Sequence, residues 1–464
     1  MLNVSFLPRV RRSLFLAAGL FVVLIITLIA ARQAENRVTR RLAAHSTSEA
    51  NDFDRWMWMV PEFLDGRSDY VNDRFPTPPI TIALFEPFTR VSPAHAEFVW
   101  ACVKPLLASI IFFCCMKMAE GAGVRLTATA IALILAAWFW PVIGDVQEGQ
   151  TNLLMLTPLA LGLWIAQRED PESNWIAGLL IGLAVSIKVT PVIFLLYFGW
   201  RRRWRIVLAA LCSIALCLVI LPSAIFGPLQ NTQWLIGWTR VMILPYVLQA
   251  QIVYATGESL PSMLTRFLRH VPAFGPGAPV FYANFVDLSA DTVGWIIRGV
   301  LGVLAVVGLL WMRRPLLTLR CQRYVGEVGA VAIMMLWASE RTWVAHYVTL
   351  LLPLTAVGML ASGRVRTAGI GRVATWSLWL AAGMMLLTSD LAKVLFGRNG
   401  RELALMVNVP LWASAGLAAT IIAARLNDRP LVNWNTQNME KPRLPLFQGL
   451  RRGEWRLRLG TEVL

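Results

Sequence analysis

Four short polar clusters interrupt an otherwise apolar sequence, each at the edge of an apolar run. They are Asn51–Trp56, which contains Asp52 and Asp54; Asp145–Asn152, which contains Gln150 and Asn152; Lys188–Pro191; and Glu340–Tyr347, which contains Arg341 and His346. Ionisable side chains at membrane depth are costly unless they pair or line a wet cavity. The clusters are therefore the candidate functional residues.

These residue types suit the transfer of a group to a hydroxyl. A carboxylate such as Asp52 or Asp54, placed at an aqueous boundary, can remove a proton from a sugar hydroxyl. Lys188 and Arg341 can neutralise a phosphate leaving group as its charge develops. A donor that already lies in the lipid needs no nucleotide-binding loop, and none is visible in the sequence.

Most of these residues also have a plainer interpretation. Asp52 and Asp54 can be ordinary loop carboxylates. Gln150 and Asn152 can cap the helix that follows them, since such side chains satisfy free backbone amides. His346 can be an interfacial histidine that does no chemistry.

Lys188 is harder to explain without a function. It follows the apolar run Trp175–Ile187, which only Ser186 interrupts. A lysine in such a position needs an anionic partner or a polar cavity. Either a structural ion pair or a bound phosphate would meet that need.

The composition indicates an integral membrane protein. Of the 464 residues, 57% are apolar and 15% are charged, and the mean hydropathy is +0.58, whereas a soluble domain has about 45–50% apolar and about 25% charged residues. The net charge of +16 falls in short loops, as expected for cytoplasmic loops of a membrane protein. A soluble enzyme, a secreted module and a nucleic-acid-binding protein are excluded as classes.

Apolar runs predict an all-α polytopic bundle with about ten full spans and a short broken hairpin. The first predicted span is Leu14–Ala31, with its amino terminus in the cytoplasm. The other spans are predicted at residues 97–116, 126–143, 152–167, 204–223, 292–312, 325–339, 347–362, 373–389 and 403–425.

The broken hairpin is predicted at Asn174–Trp200. Its 27 residues are too many for one comfortable span and too few for two of about 20 residues each. If the segment enters and returns, the basic cluster Arg201–Arg205 stays on the same side as Arg313–Arg323 and Arg364–Arg372. Pro191 favours a break near Lys188, because proline removes a backbone donor and clashes with the preceding turn.

This topology divides the chain into a polytopic domain at residues 1–425 and a basic cytoplasmic tail at residues 426–464. The long loops at residues 32–95 and 224–291 are expected outside the cell membrane, and all four polar clusters converge on that outer face. The lipid bilayer is thus one expected partner, and nucleic acid is not.

Five segments of the sequence are similar to glycosyltransferase family 87, the polyprenol-phosphate-dependent mannosyltransferases typified by mycobacteria. They are the outer-loop motifs at 52–56, 66–70, 75–79 and 85–87; Gly149-Gln150-Thr151-Asn152; the spaced motif at 177–191, with Gly178, Gly182, Lys188 and Pro191; residues 257–260; and residues 339–347. Within these motifs the sequence has Thr77 where the family has a tyrosine, and His346 where the family has paired histidines.

The resemblance implies a membrane fold of the GT-C type and a role for each candidate residue. Asp52 is the implied catalytic base, with Asp54 as its competitor. The implied substrate-binding residues are Tyr70, Gln150, Asn152, Lys188, Arg341 and His346, with Lys188 and His346 near the donor phosphate. No cofactor and no metal are expected.

The function that these observations favour is an inverting transfer of a hexose, with mannose as the expected sugar, from a polyprenyl-phosphate donor. The expected acceptor is a lipid-linked or polymeric glycan on the extracytoplasmic side of the cell membrane, which is the inner or plasma membrane. The alternative is a non-enzymatic lipid or solute transporter with Lys188 in its translocation path.

Overall fold

The computed structural model describes residue 32 and residues 51–73, 75–249, 255–274, 280–363 and 368–424. Within these ranges the chain forms helices and no strand. The helices are α1 (Asp52–Leu64), α2 (Tyr70–Asp73), α3 (Ile80–Thr89), α4 (Pro93–Gly121), α5 (Ala128–Gln147), α6 (Asn152–Ala166), α7 (Pro171–Ile187), α8 (Val192–Trp200), α9 (Trp204–Phe226), α10 (Pro228–Trp238, continued by a π-helical turn at Thr239–Ile243 and a short helix at Leu244–Gln249), α11 (Leu260–Leu268), α12 (Ala290–Trp311), α13 (Gln322–Ala338), α14 (Val344–Ser362), α15 (Ala368–Leu387), α16 (Asp390–Met406) and α17 (Val409–Ala423).

Six of the described helices are long and apolar enough to cross a bilayer, or seven if α17 and the second half of α16, which meet at a 51° bend, form one broken span. The six are α4, α5, α9, α12, α14 and α15. The prediction of an all-helical membrane bundle is confirmed. The count of about ten full spans stays a prediction, since α6 and α7 are shorter apolar helices. The first predicted span and the tail from residue 426 lie outside the described residues.

The break predicted near Lys188 is confirmed. Helix α7 ends at Ile187, Lys188 has extended backbone angles (φ −151°, ψ 127°), and α8 begins at Val192. A continuous helix would bring the ring of Pro191 against the carbonyl of Ile187, four residues earlier, which explains why α7 stops there.

The chain enters along α7 and returns along α8 to the same end of the bundle. Arg203 pairs with Glu169, just before α7, at 2.7 Å. Arg201, directly after α8, forms an ion pair with the buried Glu327 and donates a hydrogen bond to the carbonyl of Arg314 at 2.7 Å. The basic segments 201–203 and 313–323 therefore lie at one end, as the hairpin prediction requires.

Helix α7 packs unusually closely on α9. A Cβ atom added to Gly178 would lie 2.3 Å from the carbonyl oxygen of Ile206, and one added to Gly182 would lie 2.3 Å from that of Ala210. Small residues four apart let two helix backbones approach, which is a common way of packing helices in membranes. This contact holds α7, and so Lys188 at its end, in a fixed place.

The segment between residues 51 and 89 folds as helices α1–α3 around an aromatic cluster. Its buried members are Phe53, Trp56, Phe63, Tyr70, Phe75, Phe85 and Trp100, joined by Trp234 and Trp238 from α10. Phe53 stacks on Trp100 of α4 with ring centroids 5.2 Å apart. The segment 51–89 is thus anchored on the bundle where Asp52 begins α1.

The orientation of the bundle can be tested by labelling. We expect a cysteine at Gln233, exposed on α10, to react with a membrane-impermeant maleimide from outside, in a background without native cysteines. A cysteine at Arg205, exposed at the opposite end, should react only after permeabilisation, because positively charged loops stay in the cytoplasm. Labelling of both positions from the same side would contradict the topology.

Candidate active site

Asp52 lies in the first turn of α1, at the surface of the bundle. Asn51 caps this helix by accepting a hydrogen bond from the amide of Asp54 at 2.9 Å. The amide of Asp52 donates to the carbonyl of Glu148 at 3.1 Å, which joins the first two clusters. The Asp52 side chain keeps 30% of its surface exposed, so a substrate hydroxyl can reach the carboxylate.

Gln150 donates a hydrogen bond from Nε2 to Oδ2 of Asp52, and Arg55 lies 3.3 Å from the other carboxylate oxygen. The turn that carries Gln150 depends on Gly149, which has φ +65°. A Cβ atom at Gly149 would lie 2.7 Å from Cβ of Phe53. Glycine is therefore required for the turn to approach the segment that carries the base.

Burial raises the pKa of Asp52 above its usual value, and this effect outweighs the lowering by Arg55, Lys188, the Gln150 hydrogen bond and Lys104. A carboxylate with a raised pKa is a stronger proton acceptor at neutral pH. The Asp52 carboxylate is therefore accessible to a substrate, held in position by Gln150 and more basic than an ordinary aspartate.

Lys188 joins two further clusters. Its ammonium donates to Oδ1 of Asn152 at 2.7 Å and lies 2.7 Å from Nε2 of His346. Asn152 is the first residue of α6, and His346 lies in the 3₁₀ turn that begins α14. Asn152 and His346, which are 36 and 158 positions from Lys188 in the sequence, thus both contact the break of the hairpin.

The loop that holds His346 is itself held by the segment 257–260. Nδ1 of His346 accepts a hydrogen bond from the amide of Trp343 at 3.1 Å. The hydroxyl of Tyr347 donates to the carbonyl of Glu258 at 2.7 Å, and the amide of Glu258 donates to the carbonyl of Thr342. This explains structurally why a motif near residue 258 accompanies the one near residue 346.

The remaining predicted residues lie in different places. Asp54 is buried in α1, with 4% of its surface exposed, and Asp52 rather than Asp54 receives the Gln150 hydrogen bond. Arg341 lies near enough to Lys188 for the two positive charges to interact electrostatically. Tyr70 is buried in the aromatic cluster, where its hydroxyl donates to the carbonyl of Thr77 at 3.0 Å, so the structure does not bring it to Lys188.

Of the buried ion pairs that the sequence analysis did not predict, one lies beside Gln150. Lys104 of α4 and Asp145 of α5 are 2.6 Å apart and have 1% and 0% of their side-chain surface exposed. Lys104 lies inside the apolar span predicted at residues 97–116. A lysine at that depth needs a partner, and this was the signal that could have revealed the ion pair.

In the described part of the chain, no group of three His, Cys, Asp or Glu side chains comes together as metal ligands. The absence of a metal requirement stays a prediction.

The polar clusters thus meet at one end of a helical bundle whose long apolar helices can cross a membrane. The family model for glycosyltransferase family 87 matches residues 75–339. The chain belongs to this family and is a membrane glycosyltransferase.

Individual relatives are similar over varying shares of the chain. A polyprenol-phosphate-mannose-dependent alpha-(1-2)-phosphatidylinositol mannoside mannosyltransferase of Mycobacterium tuberculosis is 26% identical over 362 residues, which cover 71% of this chain and 75% of that protein. A protein of the same description from Mycolicibacterium smegmatis is 30% identical over 174 residues, covering 32% and 38%. A pentamannoside mannosyltransferase of Mycolicibacterium smegmatis is 25% identical over 257 residues, covering 54% and 52%.

Proposed function

We propose that this glycosyltransferase moves mannose, with inversion, from a polyprenyl-phosphate donor to a glycolipid or other lipid-linked glycan outside the plasma membrane. The observation that carries the proposal is the convergence of Asp52 and Gln150 with Lys188, Asn152 and His346 at one end of the bundle. The relatives' names support the donor and the class of acceptor, since they use polyprenol-phosphate mannose and phosphatidylinositol mannosides.

Asp52 is the proposed general base. Its carboxylate takes the proton of the acceptor hydroxyl as that oxygen bonds to the anomeric carbon of mannose. The bond from that carbon to the phosphate oxygen breaks, and polyprenyl phosphate leaves with the bonding electron pair. One displacement at one carbon inverts its configuration. Gln150 holds the carboxylate in position by donating to Oδ2, and positioning of this kind is a large part of catalysis.

Lys188 and His346 are the proposed contacts of the donor phosphate. If Nδ1 of His346 accepts from the Trp343 amide, a neutral ring carries its proton on Nε2, which lies 2.7 Å from the Lys188 ammonium. Two donors at this distance repel each other, so an anionic acceptor that contacts both would relieve the repulsion. A phosphate oxygen would accept from both, and charge-assisted hydrogen bonds of this type are strong. Arg341 adds positive charge nearby.

The proposed activity can be tested with purified protein and polyprenyl-phosphate mannose that is labelled in the sugar. We expect release of polyprenyl phosphate and appearance of the label in an added phosphatidylinositol mannoside. Protein that moves the label across a liposome membrane without cleaving the donor would be a transporter, and the proposal would be wrong.

The pH dependence of kcat/KM provides a further prediction. Asp52 must be ionised to accept a proton, and its pKa is raised by burial. Activity is therefore lost as the pH falls through this raised pKa, at a higher pH than an ordinary aspartate, with a pKa of about 3.9, would give. Arg55→Gln should move the loss to still higher pH, because Arg55 lowers the pKa of Asp52. A profile that is unchanged by Arg55→Gln would contradict the assignment.

A further inference from the structure

One face of helix α4 contacts both halves of the base site. Glu97, Trp100 and Lys104 are spaced three and four residues apart, so their side chains lie on the same side of the helix. The face meets Asn51 and Phe53 of the segment that carries Asp52, and it meets the turn from Asp145 to Gln150.

Lys104 uses its ammonium group to hold that turn. It donates to the carboxylate Oδ1 of Asp145 at 2.6 Å, to the carbonyl of Asp145 at 2.6 Å and to the carbonyl of Gln150 at 2.5 Å. An ammonium has three donors, and all three are used on one turn. The side chain of the same Gln150 donates to Asp52.

Trp100 and Glu97 hold the other side of the contact. The indole of Trp100 donates to the carbonyl of Gly149 at 3.0 Å, and its ring stacks on Phe53 at 5.2 Å. Asn51 donates to Oε1 of Glu97 at 2.5 Å. The turn and the start of α1 are thus fixed against a common surface, with the Gln150–Asp52 hydrogen bond between them.

We propose that Lys104 is a positioning residue for sugar transfer, which fixes Gln150 and thereby the orientation of the Asp52 carboxylate. This inference rests on the proposed function. It differs from a purely structural role, in which Lys104 would only neutralise the buried carboxylate of Asp145.

The charged groups that act on Asp52 come from several elements of the described structure. Arg55 lies on its own helix, while Lys104 and Lys188 approach from α4 and from the hairpin. Lys104 in turn faces Asp145 and Glu97, and Lys188 faces Asp145 and Arg341. Lys104 and the Gln150 hydrogen bond both lower the pKa of Asp52. Loss of Lys104 therefore removes a nearby charge and loosens the hydrogen bond, and both changes raise that pKa.

A double variant separates the two roles. Lys104→Met alone leaves the Asp145 charge buried without its partner, so it destabilises the protein whichever role is correct. Lys104→Met combined with Asp145→Asn removes both charges. If Lys104 only neutralises Asp145, this double variant regains both the melting temperature and the activity.

If Lys104 positions Gln150, we expect the double variant to regain most of the melting temperature while kcat stays lower by about 10²-fold, the cost of a small misplacement of a reacting group. The two opposite charges are removed together, but the Gln150 hydrogen bond that lowers the pKa of Asp52 is weakened, so the fall of kcat/KM at acid pH should also move to higher pH. Lys117→Met is the matched control: Lys117 lies on the same helix, 40% exposed and paired with Glu120, and its loss should change neither quantity.

The outcome for Asp52→Asn, measured in the same assay, separates failure of this inference from failure of the proposed function. An inactive Asp52→Asn protein beside a double variant with normal kcat and an unshifted pH profile would overturn the role of Lys104 alone. An Asp52→Asn protein with normal activity would overturn both.

Discussion

Replacing Asp52 by asparagine lowers the rate of sugar transfer by about 10²–10⁴-fold, the usual effect of removing a positioned general base. The amide keeps the size of the side chain but cannot take the proton of the acceptor hydroxyl. Because the Asp52 side chain is 30% exposed and its ion pair with Arg55 is at the surface, the melting temperature in detergent should change little. Donor affinity should also remain, since the proposed phosphate contacts are Lys188 and His346.

Two other carboxylates provide controls for this prediction. Asp65 is 58% exposed at its side chain and pairs with Arg67, so Asp65→Asn should leave activity unchanged. Asp54→Asn should have a smaller effect on kcat than Asp52→Asn, because Gln150 contacts Asp52. Normal turnover by Asp52→Asn would remove Asp52 as the base, and the reverse ranking would transfer the role to Asp54.

The break in the hairpin could be predicted because two independent constraints coincide there. The length of Asn174–Trp200 fits neither one span nor two, and the distribution of basic residues requires the chain to return. Pro191 then locates the break within a few residues. All three signals are local in the sequence or depend only on counting, so no knowledge of tertiary contacts was needed.

The contacts within the site could not be derived in the same way. Lys188 and His346 are 158 residues apart, and the pairing of Lys104 with Asp145 spans 41 residues. Such pairs depend on which helices are neighbours and how each is rotated, which hydropathy does not specify. The resemblance to a family identified Lys188 and His346 as members of one site, but it did not identify Lys104.

The lengths of the shorter helices also depend on tertiary structure. Helix α6 has 15 residues, fewer than the about 20 that cross the hydrocarbon region. Its first residue, Asn152, is fully buried against Lys188, so the helix begins inside the bundle. Helices that end at a polar site inside the bundle are shorter than helices that cross the whole membrane. A count of apolar residues in the sequence does not show which helices end in this way.

Replacing Lys188 by methionine should weaken donor binding without destabilising the protein. In the described part of the chain Lys188 takes part in no ion pair, and its contacts are the Asn152 amide and the His346 ring. Removal of the ammonium therefore deprives no carboxylate of an ion-pair partner. A hydrogen bond to a charged group contributes about 1.5–3 kcal/mol, so the dissociation constant for polyprenyl-phosphate mannose should rise by about 10–100-fold.

The same variants distinguish this role from a structural one. Lys188→Arg keeps the charge but should restore donor affinity only in part, because the guanidinium is larger than an ammonium and planar. If Lys188 instead compensates the charge of Asp145 or Asp52, which lie near it, Lys188→Met should lower the melting temperature, since a buried charge loses its partner. Donor affinity and melting temperature, measured on both variants, decide between these roles. An unchanged affinity together with a lowered melting temperature would eliminate the contact with phosphate, and the donor would then have to be held by Arg341 and His346.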